Sequence, residues 1–318
     1  MIDLKGDYPE HWDDFIGQTQ AKRKLLVASR SAKLRKEPMD HCLIFCGKAG
    51  VGKTALAQLA AREMESNVVC VSGTLKAAEV RVIVSRMKPH DVLFYDEVHQ
   101  AVAGGRAKGE WLLGLLQDGV LPGARGKLEP MPPITVIGAT TDMGRLPATI
   151  LTRFSPVELV DYTEDEATRV ALKLAARMFP TPMPLPSVEV AERIARACNQ
   201  NPRTMRQLLI NIRDITLTDA KMPDEEGQYD IVEAMQWMGL DDAGITDMAK
   251  RYMVALVKDF GGEPTGEAAM KDRLDEPGGL RITERLLMDH GLLEKTRQGR
   301  MPTAAGLTFA EAQMENAA

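Results

Sequence analysis

The chain has 318 residues, 44% of them hydrophobic and 27% charged, with a formal net charge of -5. That length leaves room for two or three domains, and the balance is that of a soluble globular protein. It excludes a chain that is basic throughout, so any nucleic-acid contact must be a local patch, and no apolar run approaches the roughly 20 residues that span a bilayer.

In chain order, the opening Met1-Ile2-Asp3-Leu4-Lys5-Gly6-Asp7 is polar and acidic, which is no signal-peptide pattern. A cytoplasmic protein is expected. An irregular lead-in reaches Ile16, Gly17-Gln18 break it, and a basic amphipathic helix is expected from about Thr19 to Arg35, its charges a solvated face. Cys42, Cys46, Cys70 and Cys198 read as core thiols, because a metal site lacks a matching second pair.

Five short apolar runs then alternate with helical or loop segments: 42–46, 68–71, 92–95, 134–137 and 157–160. Continuous β-rich runs of this kind indicate an α/β fold, a parallel sheet with helices on both faces. Ligands of such sheets bind at the carboxyl ends of the strands. The first run enters Gly47-Lys48-Ala49-Gly50-Val51-Gly52-Lys53-Thr54, followed by a helix-forming stretch from Ala55. This is the G-x4-G-K-T phosphate loop in its required strand–loop–helix context. Gly47, Gly50 and Gly52 let backbone N–H groups curl around phosphate oxygens, and the helix N-terminus adds positive dipole. Lys53 is expected on the β- and γ-phosphates of ATP and Thr54 on Mg²⁺.

The third run ends in Asp96-Glu97. Asp96 is expected to hold Mg²⁺ and Glu97 to activate the attacking water. A water-activating Glu suits a sheet with an extra strand between this strand and the P-loop strand. His99 is either a coupling residue or an ordinary loop histidine. The fourth run leads to Thr140-Thr141, either a hydroxyl near the γ-phosphate or a plain strand-to-turn transition. Arg153, just before the fifth run, is either a surface charge or an arginine finger for a neighbour's nucleotide.

Beyond Tyr162 the pattern turns helical. Thr163-Glu164-Asp165-Glu166 starts a helix through Met178, and the proline-rich stretch 180–186 stops it. Ser187 caps a second helix to about Cys198, Pro202 opens a third, and a fourth covers roughly 229–238. Arg203 falls at a helix N-terminus, a poor place for a cation unless it faces an anionic ligand. Helices are then expected over 246–260, 267–273 and 280–290. A hairpin with a basic tip follows, which together make a winged helix in which Lys295, Arg297 and Arg300 could grip DNA phosphates.

Read together, these pieces resemble the AAA+ ATPases and, within them, the bacterial motors that migrate the branch point of Holliday junctions. The resemblance runs from Phe15-Ile16-Gly17-Gln18 to Met301, and its most specific parts are 40–47, 89–97, 133–141 and 299–301. It implies an AAA+ large domain (1–160), a small helical lid (161–242) and a winged-helix domain (243–318). It implies a hexameric, ATP- and Mg²⁺-dependent DNA-translocating ring in DNA recombination and repair, working on branched or duplex DNA with a RuvA-type junction-binding protein. The family's nucleotide-binding positions fall on Phe15, Ile16, Gly50, Lys53, Thr54 and Ala55. Its sensor 1 falls on Thr141, its trans arginine finger on Arg153, its inter-domain tyrosine on Tyr162 and its sensor-2 arginine on Arg203. Its DNA contacts fall on Lys295 and Arg300. The chain departs from the family at Tyr8 and Leu151, where the family has arginines. It also departs in an insertion over 103–109 and in a partner-docking hairpin shortened to 118–129. An alternative output is a loader or adaptor that places another ring on DNA, and a less favoured one is a transcriptional regulator.

Overall fold

The structure, a computed structural model, describes residues 8–47, 50–102, 106–123, 127–219, 222–224, 226–276 and 280–316. Residues 1–7, Lys48-Ala49 of the glycine-rich turn, 103–105 of the insertion, the hairpin tip 124–126 and the Gly278-Gly279 turn lie outside the described residues. The chain divides into two compact units, Met1–Tyr162 and Thr163–Ala318.

In the first unit, helix α1 spans Thr19–Arg35 and strand β1 Cys42–Phe45, followed by α2 (Lys53–Glu63), β2 (Val68–Ser72), α3 (Ala77–Val84) and β3 (Val92–Asp96). After α4 (Arg106–Asp118) come the short β4 (Val120–Pro122) and β5 (Leu128–Pro130), then β6 (Thr135–Thr140), α5 (Ala148–Leu151) and β7 (Ser155–Glu158). Five strands form one parallel sheet in the order β2-β3-β6-β1-β7. The P-loop strand β1 and the acidic strand β3 are therefore separated by β6, as expected of a sheet built around a water-activating Glu. Register aligns the rows: Cys42 stands opposite Ile137, and Ile137 opposite Phe94. The carboxyl ends of β1, β3 and β6 consequently open on one edge.

The central strands β1, β3 and β6 are buried along nearly their whole length because both faces are covered. On one face Leu43, Leu93, Tyr95, Leu112, Leu121 and Val136 share a core. Each such side chain withdrawn from water contributes about 1.5–3 kcal/mol. Two strand boundaries differ from expectation. β6 runs on through Gly138-Ala139-Thr140, all buried, because β1 pairs with it as far as Phe45. β7 starts two residues earlier than the apolar run at 157–160, since Ser155 pairs with Cys42, and its Pro156 is tolerated at the sheet's edge.

The second unit begins with α6 (Glu164–Met178), α7 (Val188–Ala197), α8 (Pro202–Asp219) and α9 (Val232–Trp237). Thr163 and Glu166 form the expected capping box, and Ser187 accepts from the Val190 N–H at 3.2 Å. Helix α9 is shorter than the expected 229–238. Tyr229 is spent elsewhere, its ring packed on Phe179 and its hydroxyl donating to the Pro184 carbonyl. Helices α10 (Asp247–Lys258), α11 (Glu267–Leu274) and α12 (Arg281–Asp289) precede the wing, β8 (Leu293–Lys295) paired antiparallel with β9 (Arg300–Pro302). A helix not anticipated, α13 (Ala304–Asn316), closes the chain. Thr303 caps it by accepting from the Gly306 N–H at 3.0 Å, and Ala310 enters the same core as Tyr252, Leu256, Leu274 and Leu287. The signal for it is Pro302-Thr303 followed by an Ala/Glu/Met-rich run.

Candidate active site

The phosphate loop leaves β1 and enters α2 with Gly50 and Gly52 both at positive φ, 86° and 106°. Lys53 is buried at the first position of α2, its Nζ donating to Cys46 Sγ at 3.5 Å. Thr54 is half-buried in the first turn and Ala55 is buried. Gly47 ends the strand side of the loop, and a Cβ there would meet nothing within 4 Å.

Two distant segments converge on the other end of the loop. The Phe15 ring lies against Gly52, where an added Cβ would come 2.7 Å from Cζ. The Tyr162 hydroxyl donates to the Val51 carbonyl at 3.3 Å. Phe15 and Tyr162, both buried, gather at the loop, while Ile16 is half-buried next to Phe15 in the chain. The Gly52→Ala protein should therefore be less stable by about 1–3 kcal/mol. A side chain there must adopt a left-handed backbone and displace Phe15. Urea unfolding together with an ATP titration checks this, and wild-type stability with wild-type ATP affinity would refute the close approach.

Asp96 closes β3, and its Oδ1 accepts from the Glu97 N–H at 3.1 Å. Glu97 itself has φ 49°, a left-handed conformation uncommon outside glycine. Gly73 makes it possible. Its N–H donates to the Asp96 carbonyl at 2.7 Å, and any Cβ at 73 would run into the Glu97 carbonyl. This turn throws the Glu97 carboxylate across the sheet edge toward β6. There it accepts from Thr141, from N–H at 3.3 Å and from the hydroxyl at 3.2 Å. His99, buried, places Nδ1 3.1 Å from Glu97 Oε2 and 2.8 Å from Thr140 Oγ1. Of its two sequence readings, the structure places His99 in the Glu97 cluster rather than in an ordinary loop. Gly73 is a contributor that sequence reasoning missed, for its role shows only through a backbone dihedral 24 residues away.

Arg153 sits apart. It precedes β7 at the amino end of the sheet, exposed, its Nη2 donating to Gln117 Oε1 at 2.8 Å. It lines a cleft of ≈ 580 Å³ with Pro38, His41, Gln117 and Pro133. Burial pushes the His41 imidazole below its usual pKa, and its Nδ1 accepts from the Val136 N–H at 2.9 Å, so it serves the sheet. Because β1 and β7 run parallel from Cys42 and Ser155, Arg153 lies before the amino end of the pair and its own phosphate loop beyond the carboxyl end, so the two are separated by more than the roughly 10 Å that β1 rises.

In the second unit, Arg203 is exposed in the first turn of α8, its N–H donating to the Asn201 side chain at 3.0 Å. In the wing, Lys295 and Arg297 are exposed. Arg300 is less exposed than these two. Its side chain is only 12% exposed, with Nη2 2.9 Å from both Glu267 Oε2 and Glu284 Oε2. Burial works against that charge, but the two carboxylates hold its pKa above the ordinary arginine value.

Residues 8–160 match the family model described as the Holliday junction DNA helicase RuvB P-loop domain, and residues 242–311 match the RuvB C-terminal winged helix domain. A Holliday junction branch migration complex subunit RuvB from Kosmotoga olearia is 32% identical over 312 residues, covering 93% of this chain and 87% of that protein. The chain belongs to the RuvB family. It is thereby an ATPase of the branch-migration motors, and the loader alternative gains no ground from these matches. Solved RuvB structures agree. The Thermotoga maritima RuvB branch migration motor superposes with a TM-score of 0.77 at 28% identity, covering 95% of this chain and 97% of that one. A point mutant of the same RuvB gives 0.79 at 27% identity, covering 96% and 99%.

The RuvB-type nucleotide site fits the residues present. Positive-φ glycines at the start of α2 with Lys53 form an anion cradle, and Thr54 and Asp96 are hard oxygen donors of the kind Mg²⁺ takes. Among the described residues no group of three His, Cys, Asp or Glu side chains could hold a metal alone. That suits an ion which completes its shell with phosphate and water.

Proposed function

We infer that this RuvB-family chain is the ATP-hydrolysing, DNA-translocating subunit of a hexameric ring and drives branch migration in recombination and repair. The reading rests above all on one observation: the P-loop domain and the winged helix of the same chain both match this one motor family. Lys53, with Gly47, Gly50, Gly52 and Ala55, binds the phosphates; Phe15, Ile16 and Tyr162 flank the nucleotide. Glu97, oriented by Thr141, takes the proton of the attacking water. Mg²⁺ held through Thr54 and Asp96 supplies neutralising charge at the phosphate oxygens. Arg153 acts on a neighbour's nucleotide and Arg203 on the chain's own. Of the three-domain division, the boundary near 160 is supported by the split after Tyr162 and the one near 242 by a core confined to residues 245–310.

A RuvA-type partner would meet the β4–β5 hairpin. Glu129 anchors it to Arg81 of α3 at 2.8 Å, while Leu128 stands 61% exposed. The test is strand exchange on a four-way junction with ATP, with and without a RuvA-type protein. ATP-dependent dissociation of the junction is expected. Nucleotide-gated binding of another helicase without junction dissociation would replace this reading with that of a loader.

A further inference from the structure

Residues 9–18 approach the phosphate loop as an irregular segment that is held at four points. The Arg62 guanidinium donates to the Pro9 carbonyl at 3.1 Å. The Trp12 indole N–H donates to Glu63 Oε2 at 2.9 Å. Lys22 of α1 donates through Nζ to the Phe15 carbonyl at 2.6 Å. Gln18 exchanges hydrogen bonds with the Val160 backbone, donating to its carbonyl at 2.6 Å and accepting from its N–H at 3.1 Å. The last two bonds fix the end of the segment that enters α1. The first two fix its beginning, and they tie it to the helix that follows the phosphate loop.

Glu63 closes α2, where a carboxylate faces the negative end of the helix dipole and needs donors. The Arg30 hydrogen bond, and after it that of Trp12, hold the Glu63 carboxyl below its ordinary pKa against the opposing effect of burial. Arg30 is 61% exposed, so its pairing is screened by solvent, whereas Trp12 is half-buried. Trp12 is also coupled directly to Phe15. It opens a 3₁₀ turn, Trp12–Asp14, and its carbonyl accepts from the Phe15 N–H at 3.3 Å. The segment therefore runs alongside α2. Trp12 ties it to the last turn of that helix, and Phe15 lies against Gly52, just ahead of the first.

We propose that Trp12, through its hydrogen bond to Glu63, is a positioning residue for the nucleoside end of ATP, setting the place of Phe15 and Ile16 beside the phosphate loop. The proposal rests on the reading of those two residues as flanking the nucleotide. The loop and Lys53 receive the phosphates, so releasing Trp12 costs affinity for the nucleoside and leaves the phosphate contacts in place. Glu97 and the attacking water are untouched, so the chemical step proceeds at its ordinary rate once ATP is bound.

Steady-state ATPase assays on the full-length protein, with inorganic tripolyphosphate as a competitive inhibitor, test this. Trp12→Phe keeps an aromatic ring and loses only the donor. It should raise KM for ATP about three- to tenfold, with kcat within about twofold of wild type and the inhibition constant of tripolyphosphate unchanged. Glu63→Ala should do the same. The Trp12→Phe/Glu63→Ala double variant should do no more than either alone, since each removes the one bond. Arg30→Ala spares that bond and should keep the wild-type KM. A Trp12→Phe protein with the wild-type KM overturns the proposal. So does an additive double variant, or a tripolyphosphate constant that rises in step with KM, the mark of a loop loosened as a whole. Phe15→Leu tests the underlying reading separately. If it leaves ATP affinity unchanged, Phe15 does not flank the nucleotide, and that reading falls together with the proposal. If Phe15→Leu weakens ATP binding and Trp12→Phe does not, the role of Trp12 alone is wrong.

Discussion

The Glu97→Gln protein is expected to bind ATP as wild type does and to hydrolyse it about 10²–10⁴-fold more slowly. The substitution changes little but the ability to take a proton. The side chain keeps its length, and the amide oxygen can still accept from Thr141, which now reaches Glu97 from both its N–H and its hydroxyl. His99 Nδ1 faces that same oxygen at 3.1 Å, so an amide oxygen in its place keeps both neighbours and the amide nitrogen takes the position of Oε1. The left-handed turn at 97 is set by Gly73 and the backbone, so it survives the exchange. ATP affinity measured by equilibrium titration, with single-turnover hydrolysis alongside, decides the matter. Affinity lost together with turnover would show that the carboxylate supports binding rather than proton transfer.

The contrast between Glu97 and its supports shows where sequence reading succeeds. Asp96-Glu97 is legible because a buried strand ending in two acids has few structural uses, and a P-loop on the same sheet, two strands away, selects one of them. The sheet is legible because each parallel strand is a continuous apolar run, and the helix starts at Thr163 and Ser187 because capping chemistry is local. The Gly73–Glu97 approach and the turning of Arg300 toward Glu284 are not local. Strand alternation says which face Arg300 takes, but not that carboxylates from α11 and α12 wait there. Helix α13 hides for a different reason. Its sequence, rich in Ala and Glu, has little apolar stripe to announce it, and it is held by one buried face on α10. At Arg153 the sequence leaves surface charge and trans finger open, and position within the sheet weighs between them.

Mixing inactive Lys53→Ala and Arg153→Ala proteins is expected to restore ATPase activity. Arg153 lies before the amino end of β7, whereas the phosphate loop lies beyond the carboxyl end of β1, more than about 10 Å along parallel strands. An arginine so placed cannot complete its own site by a side-chain rotation, and head-to-tail packing of identical subunits is the arrangement in which it would meet the nucleotide of the next. Its guanidinium is exposed and donates to Gln117 beside the cleft. Loss of such a finger lowers turnover by about 10³–10⁵-fold, and loss of the P-loop lysine abolishes phosphate binding in the same subunit. Each variant alone therefore has no complete site. In an equimolar mixed ring about one interface in four joins an intact Lys53 to an intact Arg153, so activity should return to about a quarter of wild type. A residue acting within its own subunit cannot be complemented this way, because every subunit of the mixture carries one lesion. If native mass measurement shows mixed rings and the activity stays at the level of the single variants, the trans role of Arg153 is wrong. The remaining reading is then a surface arginine whose partner is Gln117.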